Sequence, residues 1–194
     1  MGILNVLFGR RRLPPSTNER LGAISGAELT VRTQLSHVPA DQVALAVRGV
    51  AASSFDEVKR DLERLLAMAA DDLGSTSRIT TDEYGFVWVV VQDQDFPDLV
   101  AAAQIASQMV LEQGFRDQLL CCVFPFLDDQ QKPLHLVYSF KRGTFYAFAP
   151  RSGSARDSAL ELRAHALLEG ELPMEKDLEY RYPLWGLPFT GAAS

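Results

Sequence analysis

Two adjacent cysteines and a histidine are the residues of this sequence best suited to covalent chemistry. Cys121 and Cys122 follow one another in an apolar run, and His135 lies in the next strand-like run. A thiol and an imidazole that meet across a hairpin would form a nucleophile and its general base. Free cysteines are also common as small, inert core residues. Two interpretations therefore stay open: a cryptic Cys/His enzyme, or two core thiols beside a polar strand residue.

Other signs of catalysis are missing from the sequence. It has no Walker A loop, no Rossmann glycine fingerprint, no Gly-x-Ser-x-Gly motif and no His-Glu-x-x-His motif. His37, His135 and His165 each lack a second metal-type ligand at short spacing. The sequence therefore predicts a protein that is not an enzyme, with no catalytic residues, no metal site and no cofactor.

A basic pair at a glycine turn is the first candidate for binding. Lys141 and Arg142 precede Gly143, and Thr144 and Tyr146 follow it in an aromatic strand. Such a turn could present two cations to an acidic protein partner or to phosphate. We take Lys141, Arg142, Thr144 and Tyr146 as a candidate partner surface. The alternative is an ordinary exposed hairpin tip with core aromatics behind it.

A small-molecule or anion-sensing domain is the runner-up interpretation. Arg142, Arg156 and Arg163 are its possible anion ligands. This function requires the three side chains to converge on a concave, partly apolar pocket. The sequence alone leaves their convergence open.

The N-terminal segment is the second candidate for binding. Its apolar side chains and the arginines that follow suit a short interfacial helix with cations beside lipid phosphates. The alternative is that these side chains pack on the domain or on a partner subunit. The candidate membrane or partner contacts are Ile3, Leu4, Leu7, Phe8, Arg10, Arg11 and Arg12. Because Pro14 and Pro15 break any helix, residues 1–17 are predicted to be an appendage with a linker.

Periodic spacing predicts the elements that position these residues. Leu29, Val31, Thr33 and Leu35 alternate with polar residues, which indicates a strand in a hairpin with a second strand at 43–50. The further predicted elements are a helix from Ser54, strands at 77–82 and 86–92, a helix from Asp95 to Gln113, strands at 119–127, 133–141 and 144–149, and a helix from Ser154 to Glu169. Short turns between consecutive strands favour antiparallel pairing. The ββα-ββα-βββα order predicts a two-layer α+β fold, a mostly antiparallel sheet with helices packed on it.

The composition predicts one folded domain. Of the 194 residues, 47% are hydrophobic and 23% are charged, which is typical of a globular chain. We assign residues 18–172 to a single α+β domain. Residues 173–194 are rich in proline and aromatics and are predicted to be an irregular tail packed on that domain.

The charge and hydropathy of the chain indicate in which compartment the protein is located and which classes of partner it binds. The net charge of −6 argues against nucleic acid, because phosphate contacts need clustered Lys and Arg. No apolar run approaches the ~20 residues that span a bilayer, and the N-terminus lacks the features of a signal peptide. Two cysteines without a disulfide framework fit a reducing compartment. We expect a cytoplasmic protein, with peripheral contact at the inner membrane as a further hypothesis.

Several stretches also carry a family resemblance. They are Met1–Arg10, Tyr84–Val91, Gln113–Phe115, Gln118–Cys121, Leu136–Pro150, Arg156–Leu162 and Pro183–Gly186. Together they resemble the PspA-associated protein PspAB family of the phage-shock, or envelope-stress, system. The Lys-Arg-Gly-Thr-Phe-Tyr stretch from Lys141 is the most specific part of the resemblance.

The resemblance implies association with PspA, a peripheral protein that maintains the inner membrane under stress. It also implies a link to the membrane metalloprotease HtpX. No enzymatic activity and no catalytic residue come with the family. We therefore predict a non-enzymatic adaptor of the envelope-stress response, binding a PspA-type protein or an HtpX-type protease at or near the cytoplasmic membrane face.

Overall fold

The computed structural model describes residues 17–49, 56, 59–64 and 75–189. The helices are α1 (Thr17–Gly22), α2 (Ile24–Gln34), α3 (Phe96–Glu112) and α4 (Ser158–Leu168), and residues 59–64 are also helical. The strands are β1 (Val38–Pro39), β2 (Gln42–Arg48), β3 (Thr76–Thr81), β4 (Phe86–Gln92), β5 (Leu119–Leu127), β6 (Pro133–Ser139), β7 (Thr144–Phe148), β8 (Pro150–Arg151) and β9 (Ala155–Arg156). Single 3-10 turns occupy Arg116–Gln118 and Leu178–Tyr180.

One seven-stranded sheet organises these elements. Its strand order is β3-β4-β2-β5-β6-β7, and β1 pairs with the end of β5. All of these pairings are antiparallel. The strands β8 and β9 form a separate two-stranded sheet. The predicted α+β fold with a mostly antiparallel sheet is confirmed.

The central strands are apolar on both faces of the sheet. In β2, six consecutive residues are buried, although neighbouring side chains point to opposite faces. Val43 and Leu45 join the core under the helices, whereas Ala44 and Ala46 join a second cluster on the opposite face. A sheet of this kind must be covered on both sides to be stable in water.

Helices cover one face and the end of the chain covers the other. Leu21, Ile24, Val100 and Leu168 are among the helical residues of the first core. On the opposite face, the residues packed against the second cluster include Leu184, Leu187 and Phe189. We call residues 173–189 the C-terminal strap.

The strand predicted at residues 28–35 is wrong, because residues 28–34 belong to the helix α2 and Leu35 is its C-cap. The observed buried positions of α2 are Ile24, Ala27 and Val31, a spacing that places them on one helical face. Leu29, which completed the apparent alternation, is 68% exposed. The hairpin predicted between this segment and residues 43–50 is also wrong, since β2 pairs with β4 and β5.

The other predicted elements lie close to their expected positions. The β3–β4 hairpin, α3, the three strands β5 to β7, and α4 all appear within a few residues of the predicted bounds. The predicted start of α4 at Ser154 is wrong, because Ala155–Arg156 form β9, which pairs with β8, and the helix begins at Ser158. Most of the helix predicted from Ser54 lies outside the described residues. Within it, residues 59–64 are helical and Leu62 is buried.

Two glycine substitutions test the local backbone. Gly143 has a φ of +68°, and an added Cβ would lie 2.7 Å from Nη1 of Arg20. Gly143→Ala should therefore lower the free energy of unfolding by about 1–2 kcal/mol, mostly through the left-handed backbone. Gly26 lies inside α2, and an added Cβ would have open space around it. Gly26→Ala should therefore raise the free energy of unfolding by about 0.5–1 kcal/mol. Urea unfolding measures both values, and a loss of stability in Gly26→Ala would contradict the assignment of α2.

Candidate functional site

The strap begins by capping the edge strand β7. The Phe145 N–H donates to the Pro173 carbonyl at 2.9 Å, and the Glu175 N–H donates to the Phe145 carbonyl at 2.7 Å. These bonds form a parallel bridge between Phe145 and Met174. An edge strand carries unpaired backbone groups, so this contact satisfies part of an otherwise open edge.

A bidentate ion pair fixes the start of the strap to the β6–β7 turn. Arg142 donates from Nε to Oε2 of Glu175 at 2.7 Å and from Nη2 to Oε1 at 2.9 Å. Thr144 Oγ1 donates to Oε2 at 2.8 Å, and Arg142 Nη2 also reaches Oδ2 of Asp177 at 3.1 Å. The candidate residues Arg142 and Thr144 are therefore engaged inside the molecule.

The electrostatics of Glu175 follow from this cluster. The hydrogen bond from Arg142, together with those from Thr144 and the Asp177 N–H, lowers the pKa of Glu175 to about 2, against the opposing effect of burial. Glu175 is only 2% exposed, whereas 36% of the Arg142 side chain remains accessible. The hydrogen bond to Glu175 correspondingly raises the pKa of Arg142. The carboxylate is thus held ionised in a nearly dry position.

A second arginine holds the middle of the strap. Arg156 pairs with the buried Glu161 of α4, with Nη2 at 2.8 Å from Oε2, and donates from Nη1 to the Arg181 carbonyl at 3.1 Å. Arg181 Nε in turn donates to the Glu175 carbonyl at 3.0 Å. The guanidinium of Arg142 lies 3.9 Å from the ring centroid of Tyr180. The two arginine–glutamate pairs are therefore joined through the strap backbone.

Aromatic contacts hold the rest of the strap on the sheet. The ring of Trp185 meets that of Phe148 edge-on, with centroids 5.0 Å apart. Phe189 lies 5.9 Å from the ring of His135, and the Pro188 carbonyl accepts a hydrogen bond from Arg78 of β3. The strap thus extends from the β7 edge to a side chain of β3 at the opposite edge.

The other predicted binding residues have distinct environments. Lys141 is exposed at the tip of the β6–β7 turn, whereas Tyr146 is 3% exposed and lies in the second core cluster. Burial raises the pKa of Tyr146 well above its ordinary value. The N-terminal candidates, which are Ile3, Leu4, Leu7, Phe8, Arg10, Arg11 and Arg12, lie outside the described residues. Their role as contacts stays a prediction.

The cysteines and His135 do not come together. Cys121 lies opposite Ser139, and Pro125 lies opposite His135. Four residues of strand, roughly 13 Å, therefore separate Cys121 from His135, and Cys122 belongs to the core on the other face. Burial raises the pKa of Cys121 to about 12 and lowers the pKa of His135 to about 4. Thiols and imidazole are thus neutral at pH 7.

The three arginines proposed as anion ligands also stay apart. Arg142 and Arg156 are paired with different glutamates, and Arg163 donates to the Gln34 carbonyl at 2.6 Å. A cleft of about 360 Å³ does exist between α2, β1 and α3. The charged side chains lining it are Glu28, Arg32, Asp41 and Asp95. None of the three arginines therefore lines this cleft.

Among the described residues, no three His, Cys, Asp or Glu side chains group as metal ligands.

Three residues of the polar cluster lie on the strap and have no recognisable sequence pattern, namely Glu175, Asp177 and Arg181. The composition of this region predicted a packed tail but gave no sign of which charges it would bury. Glu175 is 33 residues from Arg142 in sequence, and no periodicity connects them. An acidic residue beside the apolar Leu172 and Met174 was the available hint.

Removing the charge of Glu175 should loosen the strap. Glu175→Gln removes the buried carboxylate that pairs with Arg142, although Arg142 keeps the exposed Asp177, and should lower the free energy of unfolding by about 2 kcal/mol at pH 7. Because the folded pKa lies below the ordinary value of 4.5, the contribution of Glu175 is present above pH 4.5 and is lost as pH falls toward 2. The free energy of unfolding of Glu175→Gln should therefore change less between pH 4.5 and 2 than that of the wild-type protein.

Chemical unfolding across this pH range, followed by the fluorescence of Trp88 and Trp185, measures the effect. The exposed Glu179 of the same strap provides the matched control, since Glu179→Gln should change stability little. Equal stability of Glu175→Gln and wild type at pH 7 would contradict the structural role of the pair.

Within the described parts of the chain, no helix has the length and hydropathy needed to cross a membrane.

Comparison with known proteins shows to which family the chain belongs. A search of curated proteins finds no match. The family model described as PspA associated protein B matches residues 1–189, which is nearly the whole chain. The protein belongs to the PspA-associated protein B family, as the resemblance predicted.

Proposed function

We propose that this protein is a non-enzymatic adaptor of the envelope-stress response that binds a PspA-type protein at or near the cytoplasmic face of the membrane. The observation that carries the proposal is the family match over residues 1–189, because the family is named for association with PspA. Contact with an HtpX-type membrane protease is a further part of the proposal and rests on the resemblance alone.

The placement of the chemically suited side chains favours binding over catalysis. Cys121 and Cys122 are buried in cores on opposite faces of the sheet, and His135 lies between the rings of Phe148 and Phe189. A nucleophile must reach both its general base and its substrate. These three residues are positioned to pack, which supports an adaptor.

The β6–β7 turn is one proposed contact with the partner. Lys141 projects from its tip, and about a third of the Arg142 side chain stays accessible beside it. Exposed cations at an interface act mainly through long-range attraction and orientation. We propose that this turn guides the approach of an acidic region of the partner, while Thr144 and Tyr146 hold the turn in shape.

Co-purification tests the protein partner. The tagged full-length chain is expected to recover the PspA-type protein of the same cell after envelope stress, and the HtpX-type protease can be sought in the same eluate. Lys141→Glu should reduce recovery, because it reverses the exposed charge of the turn. Lys132→Glu, at the exposed β5–β6 turn, is the matched control. Recovery of neither a phage-shock component nor a membrane protease would refute the proposal.

Sedimentation with vesicles tests the membrane contact. The full chain should co-sediment with anionic vesicles, and a variant beginning at Pro15 should not, because residues 1–12 carry the apolar side chains and the three arginines. Added salt should weaken the binding of the full chain, and neutral vesicles serve as the control. Equal behaviour of the two proteins would place the membrane contact elsewhere or remove it.

A further inference from the structure

We infer that the exposed apolar side chains of the strap, Leu178, Tyr182 and Trp185, form the main contact surface for an apolar region of a PspA-type protein. This inference rests on the proposed function and adds the surface and the chemistry of the partner's contact. It differs from the β6–β7 turn, whose contribution is charge.

The strap that carries the three side chains follows the edge strand β7. At the start of that strand, the ring of Tyr180, between Leu178 and Tyr182 in sequence, stacks on Arg142. Burial raises the pKa of Tyr146, and the nearby Cys121 and, to a smaller extent, Tyr182 add to that rise. At the end of the strand, Trp185 meets Phe148. Tyr146 and Phe148 are alternate residues of one strand, about 7 Å apart, so the strap runs along this strand. We call Leu178, Tyr182 and Trp185 the row.

This row is a concentration of exposed apolar surface. Leu178 is 68% exposed, Tyr182 is 58% and Trp185 is 42%, although all three lie within one short segment. The other large exposed apolar residues of the described chain are on separate elements, namely Leu29, Val38, Tyr84, Ile105 and Leu162. Clustered exposed apolar groups mark interaction sites, whereas single ones are ordinary.

The row is also held rigid before any partner arrives. The strap backbone is bonded to Arg156 through the Arg181 carbonyl and to β7 through Glu175. Trp185 already packs one edge against Phe148 while the rest of its ring remains accessible. Binding to a preorganised ring costs less conformational entropy. Trp and Tyr are also the residues most enriched among energetically dominant interface positions.

The expected partner surface is apolar because the charges near the row largely offset one another. Asp177 bonds to Arg142, and the exposed Lys176 and Glu179 carry opposite charges. Binding through the row should therefore change little with salt, whereas guidance by Lys141 should weaken as salt rises. The salt dependence distinguishes the two contributions.

Two leucines with equal exposure provide the main test. Leu178 and Leu29 are both 68% exposed, the first on the strap and the second on α2. Affinity of the full-length chain for the purified PspA-type protein of the same cell is measured by calorimetry. Leu178→Glu should weaken binding by about tenfold or more, and Leu29→Glu should bind as wild type.

Aromatic substitutions provide a second, independent measurement. Tyr182→Ala should also weaken binding about tenfold, while Tyr84→Ala, at the exposed tip of the β3–β4 hairpin, should not. Each variant is first compared with wild type by thermal unfolding and by the fluorescence of the buried Trp88. A folded Tyr182→Ala variant separates loss of a contact from loss of the strap.

The outcomes distinguish the inference from the function on which it rests. If wild type binds and the folded Leu178→Glu and Tyr182→Ala variants bind equally well, the strap surface is refuted and the proposed function stands. If wild type and both controls fail to bind the PspA-type protein, the proposed function fails and this inference fails with it.

Discussion

The buried carboxylate of Glu175 is the constraint on which the placement of the strap depends. Transfer of an ion out of water is costly unless hydrogen bonds and an opposite charge replace its hydration. Here the carboxylate accepts four hydrogen bonds, two from Arg142, one from Thr144 and one from the Asp177 N–H. Arg142 stays partly hydrated, so only one of the two ions bears the full cost of burial. The fixed geometry leaves the strap one position on β7.

The need for this anchor follows from the sheet. Its central strands have apolar side chains on both faces, and the helices that the structure describes cover one of these faces. The opposite face is covered by a segment whose regular structure is a single 3-10 turn at Leu178–Tyr180. Such a segment has few internal backbone bonds to hold its shape, so side chains must position it. The ion pairs of Arg142 and Arg156 provide this positioning, and the aromatic contacts of Trp185 and Phe189 complete it.

Sequence reasoning succeeded where local periodicity and core burial agree. The main strands and helices from β3 to α4 were predicted because turn residues separate segments with unambiguous spacing, whereas the two-residue strands β8 and β9 are too short to show a period. The helix α2 was missed because Leu29 and Leu35 completed an alternation, although the buried Ile24, Ala27 and Val31 have helical spacing. The pairing of Arg142 with Glu175 could not be predicted, since it depends on the tertiary path of the chain after α4 rather than on any local pattern.

The stretch from Lys141 to Tyr146 shows why a characteristic motif is an incomplete guide to a binding surface. Arg142 and Thr144 hold the strap, and Gly143 permits the turn. Phe145 bonds to the strap backbone and Tyr146 fills the core, so five of the six residues have a structural role. Lys141 alone projects away from the molecule. The motif therefore determines where the strap lies, and the strap determines which apolar side chains face outward. If the strap is the contact surface that we propose, a substitution at Arg142 would disturb partner binding indirectly, by releasing the segment that carries Leu178, Tyr182 and Trp185.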